Sequence, residues 1–107
     1  MKIKLTVKDR LQFPSLLPKQ GSMIGLEIAR NIQDKTKFTS KEIEVLQFKD
    51  RPSGGVEWLA GSEKPLEIEF ENTEIKLIKK GIAQLDKDEK ITSDQYDLCK
   101  RINTLKT

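Results

Sequence analysis

Two short segments of the chain alternate between apolar and charged residues, and their charged positions have opposite signs. Residues 2–5 read KIKL, and residues 66–70 read LEIEF. Alternation with a period of two is typical of strands that bury one face, and opposite charges that face each other across two strands stabilise the pair. We therefore predict that the first strand lies beside residues 66–70, with Leu66, Ile68 and Phe70 turned toward the core.

Between and after these strands, five helices are indicated by polar N-cap residues that precede apolar residues at helical spacing. Pro14 lies inside the first helix and is expected to kink or divide it. The third helix is predicted to be short, because residues 44–48 have an extended pattern. The predicted N-caps are Thr6, Ser22, Thr39, Asn72 or Thr73, and Thr92.

Three of these helices carry apolar stripes that predict buried faces. The stripe of the fourth helix is the longest, so we expect that helix to form the centre of the core. The stripes are Ile24, Ile28 and Ile32 in the second helix, Ile75, Ile78, Ile82 and Leu85 in the fourth, and Tyr96, Cys99 and Ile102 in the last.

A hairpin is predicted over residues 45–59, with arms at 45–49 and 56–59 around the sequence RPSGG, whose glycines permit positive φ angles. Gly61 and Pro65 mark the turn that follows. The order β-α-α-α-β-β-β-α-α predicts an α+β fold in which helices pack around a small antiparallel sheet. Its three helices followed by a hairpin have the order of a winged helix, with two C-terminal helices added. The length of 107 residues fits one domain.

The composition excludes several kinds of catalytic and metal site. The chain has no histidine and one cysteine, Cys99, which rules out Ser-His and Cys-His nucleophile pairs, histidine-ligated zinc and an internal disulfide. Cys99 has the spacing of a buried structural residue. The carboxylates of Glu67, Glu69 and Glu71 alternate onto one exposed face, near Glu63 and Glu74, where no burial raises a pKa for acid catalysis. We predict no enzyme activity, no metal and no cofactor.

Charge and hydropathy indicate the kind of partner and the cellular compartment that suit this chain. Its net charge is +3, from 20 basic and 17 acidic residues, and this balance permits anionic partners without requiring them. No apolar run approaches the roughly 20 residues of a membrane helix, and the start of the chain has no signal-peptide pattern. With a single thiol, these features predict a protein of the reducing cytoplasm that does not bind membranes.

The hairpin holds the candidate contact residues. Trp58 either packs in the core or, if exposed, anchors a protein partner, since tryptophan is enriched at interface hot spots. In the winged-helix interpretation, Lys49 and Arg51 contact phosphate from the wing. The third helix carries Glu42 and Glu44, which phosphate would repel, so any nucleic-acid binding is expected to be weak and independent of sequence.

Six short segments of the chain carry a family resemblance: TVKDRL at 6–11, LLPKQG at 16–21, TSKEI at 39–43, Lys79-Lys80, Leu85-Asp86 and Thr92. They resemble small uncharacterised proteins encoded by tailed phages and prophages. The resemblance implies a phage or prophage accessory protein and supplies no catalytic signature, although Pro14 departs from a continuous first helix. We predict a non-enzymatic intracellular interaction protein that binds another protein or itself. The alternative is a winged-helix-like nucleic-acid-binding protein.

Overall fold

Five helices and two small antiparallel sheets form an α+β fold, as predicted, over residues 1–59 and 64–106, which the computed structural model describes. Along the chain, three helices precede a short hairpin, and a further strand separates the hairpin from the last two helices. That these elements form a winged helix stays a prediction. Gly61 and Glu63 lie outside the described residues. The elements are β1 (Lys2–Leu5), α1 (Val7–Leu16), α2 (Met23–Thr36), α3 (Ser40–Leu46), β2 (Lys49–Asp50), β3 (Val56–Glu57), β4 (Leu66–Glu69), α4 (Asn72–Lys87) and α5 (Ser93–Asn103).

The predicted pairing of the first strand with residues 66–70 is confirmed. β1 and β4 are antiparallel, with Ile3 opposite Ile68 and Lys4 opposite Glu67. Ile68 and Phe70 join the core, but the prediction that Leu66 does so is wrong, because its side chain is 37% exposed. Leu66 begins β4 opposite Leu5, which is fully buried, so at this end of the sheet only the β1 residue of the pair joins the core.

The helix α4 is central to the core, as its stripe predicted. Ile75, Ile78 and Ile82 are buried, Leu85 is partly buried, and the helix contacts α1, α2 and α5. The predicted cap at residue 72 or 73 is wrong by one position. The N-cap is Glu71, whose backbone N–H donates to the Glu74 carboxylate at 2.8 Å.

Two predicted core residues are exposed instead. Ile24 is 72% exposed, because Gly25 continues the buried line of Ala29, Ile32 and Thr36 back into the first turn of α2. In α5, Cys99 and Ile102 are buried as predicted, whereas Tyr96 is 56% exposed. Gln95 occupies the inner face of the helix at that turn. Because a helix turns about 100° between successive residues, Tyr96 then points away from the core.

The hairpin region is more helical than predicted. The predicted N-cap Thr39 is confirmed and forms a capping box with Glu42, but α3 continues through residues 45 and 46, where Leu46 is buried. The arms are therefore only Lys49–Asp50 and Val56–Glu57, and they form a sheet separate from β1 and β4. The assignment of the hairpin as a wing stays a prediction.

The first helix is not divided by its proline. α1 continues from Val7 to Leu16 with Pro14 in its last turn, where a missing N–H removes a single helical hydrogen bond. Thr6 and Asp9 form a reciprocal capping box at its start, as the N-cap prediction implies. Among the helices described, none is long and apolar enough to cross a membrane.

Candidate functional site

The structure places Trp58 in an aromatic cluster that attaches the hairpin to the helices. Its ring centroid lies 6.3 Å from that of Phe48, which lies 5.0 Å from that of Phe38. Trp58 is half-buried, and the neighbouring Leu59 N–H donates to the Leu46 carbonyl at 2.9 Å. These contacts favour a packing role for Trp58 over that of an exposed partner anchor.

The two candidate phosphate contacts are exposed, but acidic side chains offset their charge. Arg51 Nε lies 3.8 Å from Glu57 Oε2, and Lys49 lies opposite Glu57 in the strand register of the hairpin. Asp50 lies between the two basic residues. The hairpin therefore carries no excess of positive charge with which to attract phosphate.

A groove of about 360 Å³ lies elsewhere, where the α1–α2 connection passes over α4. Ser22 shapes one wall, because its hydroxyl accepts from the Gly25 N–H at 3.0 Å and starts α2 there. The lining is mainly apolar. It comprises every residue from Ser15 to Ser22 except Lys19, together with Gly25 and Leu26 of α2 and Leu77, Lys80, Gly81, Gln84 and Leu85 of α4.

Gly81 permits the close crossing that forms this groove. A Cβ atom at this position would overlap the carbonyl oxygen of Leu16, the last residue of α1. Only glycine lets the end of α1 rest directly on the middle of α4. The polypeptide backbone can then turn at residues 17–21 and enter α2.

We expect Gly81→Ala to destabilise the protein by about 1–3 kcal/mol, because the new methyl group must displace the α1 backbone. Alanine is the better helix former by about 1 kcal/mol, so helix propensity alone predicts the opposite sign. Chemical denaturation with urea measures the change. Ala83→Gly, at an exposed position of the same helix, is the control. A Gly81→Ala variant more stable than the wild type would contradict the close crossing.

Exposed apolar side chains adjoin the groove at the first turn of α2. Met23 is 89% exposed and Ile24 is 72% exposed, and in sequence they lie between the lining residues Ser22 and Gly25. Leu26, which lines the groove, is 37% exposed. A cluster of exposed apolar side chains is typical of an interaction site. The pattern-based prediction missed it, although adjacent Met23 and Ile24 cannot both face inward on one helix.

Among the residues that the structure describes, the charged side chain that lines this groove is Lys80. In sequence, Lys19 lies between the lining residues Pro18 and Gln20, while Glu27 and Asp86 follow the lining residues Leu26 and Leu85. No carboxylate is found among the lining residues within the described ranges 1–59 and 64–106. The site thus combines an apolar surface with positive charge at its edge.

No family model, curated protein or solved structure matches this chain. Its function is therefore argued from the chemistry of its own surfaces.

Arg10 is the most buried charged residue within ranges 1–59 and 64–106, and its hydrogen bonds are made within the fold. It donates to the Thr36 carbonyl at 3.0 Å, to the Lys37 carbonyl at 2.6 Å and to both carboxylate oxygens of Glu42 at 2.5 and 3.0 Å. The guanidinium lies 4.1 Å from the centre of the Phe38 ring. The hydrogen bond from Arg10 lowers the pKa of Glu42 to about 2. This cluster ties α1 to the α2–α3 connection.

In the described part of the chain, the thiol is not activated and the carboxylates form no metal-binding cluster. Cys99 is buried, and burial raises the pKa of its thiol, which disfavours the nucleophilic thiolate. Across residues 1–59 and 64–106, no three acidic or thiol side chains lie close enough to hold a metal ion.

Proposed function

We propose that this chain is a non-enzymatic interaction protein that binds a protein partner at the groove between the α1–α2 connection and α4. The exposed apolar first turn of α2 carries the proposal. Met23 and Ile24 are placed in water beside a mainly apolar groove, and a partner that covered them would remove that surface from water. Burial of apolar area is the main source of affinity in such contacts.

The same proposal includes the biological role of the protein and its location. The resemblance of residues 6–21 and 39–43 to small proteins of tailed phages and prophages supports an accessory role for a phage or prophage, inside the cell. The lack of histidine and the raised pKa of the Cys99 thiol support a role without catalysis. The nucleic-acid alternative has weaker support, because Asp50 and Glu57 together offset the charges of Lys49 and Arg51.

Selection of peptides by the immobilised full chain tests this function. We expect a library of displayed random peptides to yield binders whose affinity falls at least about tenfold with Met23→Ser/Ile24→Ser, since exposed apolar anchors of this size contribute about 1–2 kcal/mol. Both positions are exposed, so the variant is expected to fold, and circular dichroism checks that it does. Lys49→Ala/Arg51→Ala is the matched control on the hairpin.

The outcomes of that selection are distinct. If the selected peptides bind the hairpin variant more weakly but the α2 variant as well as the wild type, the binding site is at the hairpin and the proposal is contradicted. A failure to enrich any peptide, together with salt-sensitive binding of duplex DNA through Lys49 and Arg51, would favour the nucleic-acid alternative. Sedimentation velocity of the unliganded chain decides whether a second copy occupies the surface.

A further inference from the structure

We propose that the groove's partner is an acidic amphipathic helix whose apolar residues fill the groove and whose carboxylates meet lysines at its edge. This inference rests on the proposed function and specifies the partner's chemistry. It follows from the charge, the length and the lining of the groove.

Three exposed lysines supply the charge. Lys80 lines the groove, Lys76 lies one turn before it on the same face of α4, and Lys19 lies in the adjoining connection. In the part of the chain that the structure describes, no carboxylate lies within ion-pair distance of any of the three. Their charges are therefore available to a partner of opposite sign, which electrostatic complementarity favours.

On α4, the positive charge lies along the N-terminal half of the groove, at Lys76 and Lys80. Toward the C-terminal end of α4, Lys87 is followed by Asp88 and Glu89, and Asp88 accepts a hydrogen bond from Gln84 at 3.1 Å. That end has no excess of positive charge. The partner's carboxylates are therefore expected beside Lys76 and Lys80.

The length of the groove matches two turns of a helix. Leu77, Gly81 and Leu85 line it at intervals of one turn, so it extends about 12 Å along α4 at the usual helical rise. Apolar residues at positions i, i+4 and i+7 of a bound helix span a similar distance, which is the common spacing of helix-in-groove recognition.

Two matched peptides test the partner's charge. The first is a helical peptide with leucines at i, i+4 and i+7 and glutamates elsewhere on the same side, and the second has lysine in place of each glutamate. In fluorescence anisotropy with the full chain, we expect the acidic peptide to bind about tenfold more tightly, which corresponds to a few exposed ion pairs. The difference should shrink as salt increases.

Charge reversal on the protein should invert this preference. Lys76→Glu/Lys80→Glu is expected to favour the lysine peptide. The control variant Lys41→Glu/Lys64→Glu changes two exposed lysines beside the N-terminal end of α1, and it is expected to keep the wild-type preference. All four positions are exposed, so the variants should fold.

Each other outcome would overturn the inference. If both peptides bind equally and Met23→Ser/Ile24→Ser weakens both, the acidic partner is wrong and the proposed function stands. The same conclusion holds if only library-selected peptides bind at the groove. If no peptide of any kind binds and Lys76→Glu/Lys80→Glu instead abolishes binding of duplex DNA, both the inference and the proposed function are wrong.

Discussion

Replacing Arg10 with alanine is expected to lower the free energy of unfolding by about 3–5 kcal/mol, because a buried side chain is removed together with its hydrogen bonds to two carbonyls and to Glu42. The Arg10 side chain is 1% exposed and donates to two backbone carbonyls as well as to Glu42. Its removal leaves these acceptors without their donor and opens a cavity between α1 and the α2–α3 connection. Urea denaturation measures the loss, and the exposed Arg30→Ala should change stability by no more than about 0.5 kcal/mol.

The same contact predicts an acid-sensitive contribution to stability. The pKa of Glu42 is lowered in the folded protein from 4.5 to about 2 by the hydrogen bond from Arg10. A carboxyl group with a lowered folded pKa stabilises the fold above its unfolded pKa, and this stability is lost as pH falls toward the folded pKa. We therefore expect part of the wild-type stability to disappear between pH 4.5 and about 2. Arg10→Ala should lack that part, and equal pH dependence in the two proteins would contradict the role of the pair.

Ile78→Ala is expected to destabilise the protein by about 2–5 kcal/mol, because a buried cavity replaces three methyl or methylene carbons. Ile78 is fully buried in the central helix α4. Ile24→Ala is the matched control, since the same change is made at a side chain that is 72% exposed, where about 0.5 kcal/mol or less is typical. Thermal and urea denaturation compare the two. Similar losses of stability at both positions would show that Ile24 is buried, as the stripe in α2 predicts, and would contradict its exposure in the structure.

Local patterns in the sequence predicted much of the fold. The alternation of KIKL and LEIEF, with opposite charges, identified two strands more than sixty residues apart as neighbours, with Ile3 opposite Ile68. The stripe from Ile75 to Leu85 identified the core helix. These predictions succeeded because periodicity indicates which face of an element is buried. The opposite charges of the two strands then indicated that the strands pair with each other.

The candidate site could not be predicted in the same way, because it depends on contacts between distant parts of the chain. The groove exists because Gly81 lies under the carbonyl of Leu16, and nothing in the sequence near either residue indicates the other. Ile24 fits a stripe of four-residue spacing equally well whether it is buried or exposed. The short hairpin arms have a similar cause, because the burial of Leu46 extends α3 beyond its local β-like pattern.

The central claim, that the groove beside the first turn of α2 is the binding surface, is tested most directly by nuclear magnetic resonance of the ¹⁵N-labelled chain. A library-selected peptide is titrated into the protein, and the backbone amide shifts are followed. We expect the changes to concentrate at residues 16–26 and 77–85. Changes confined to residues 49–58, or no changes at a peptide concentration that saturates binding, would contradict the claim.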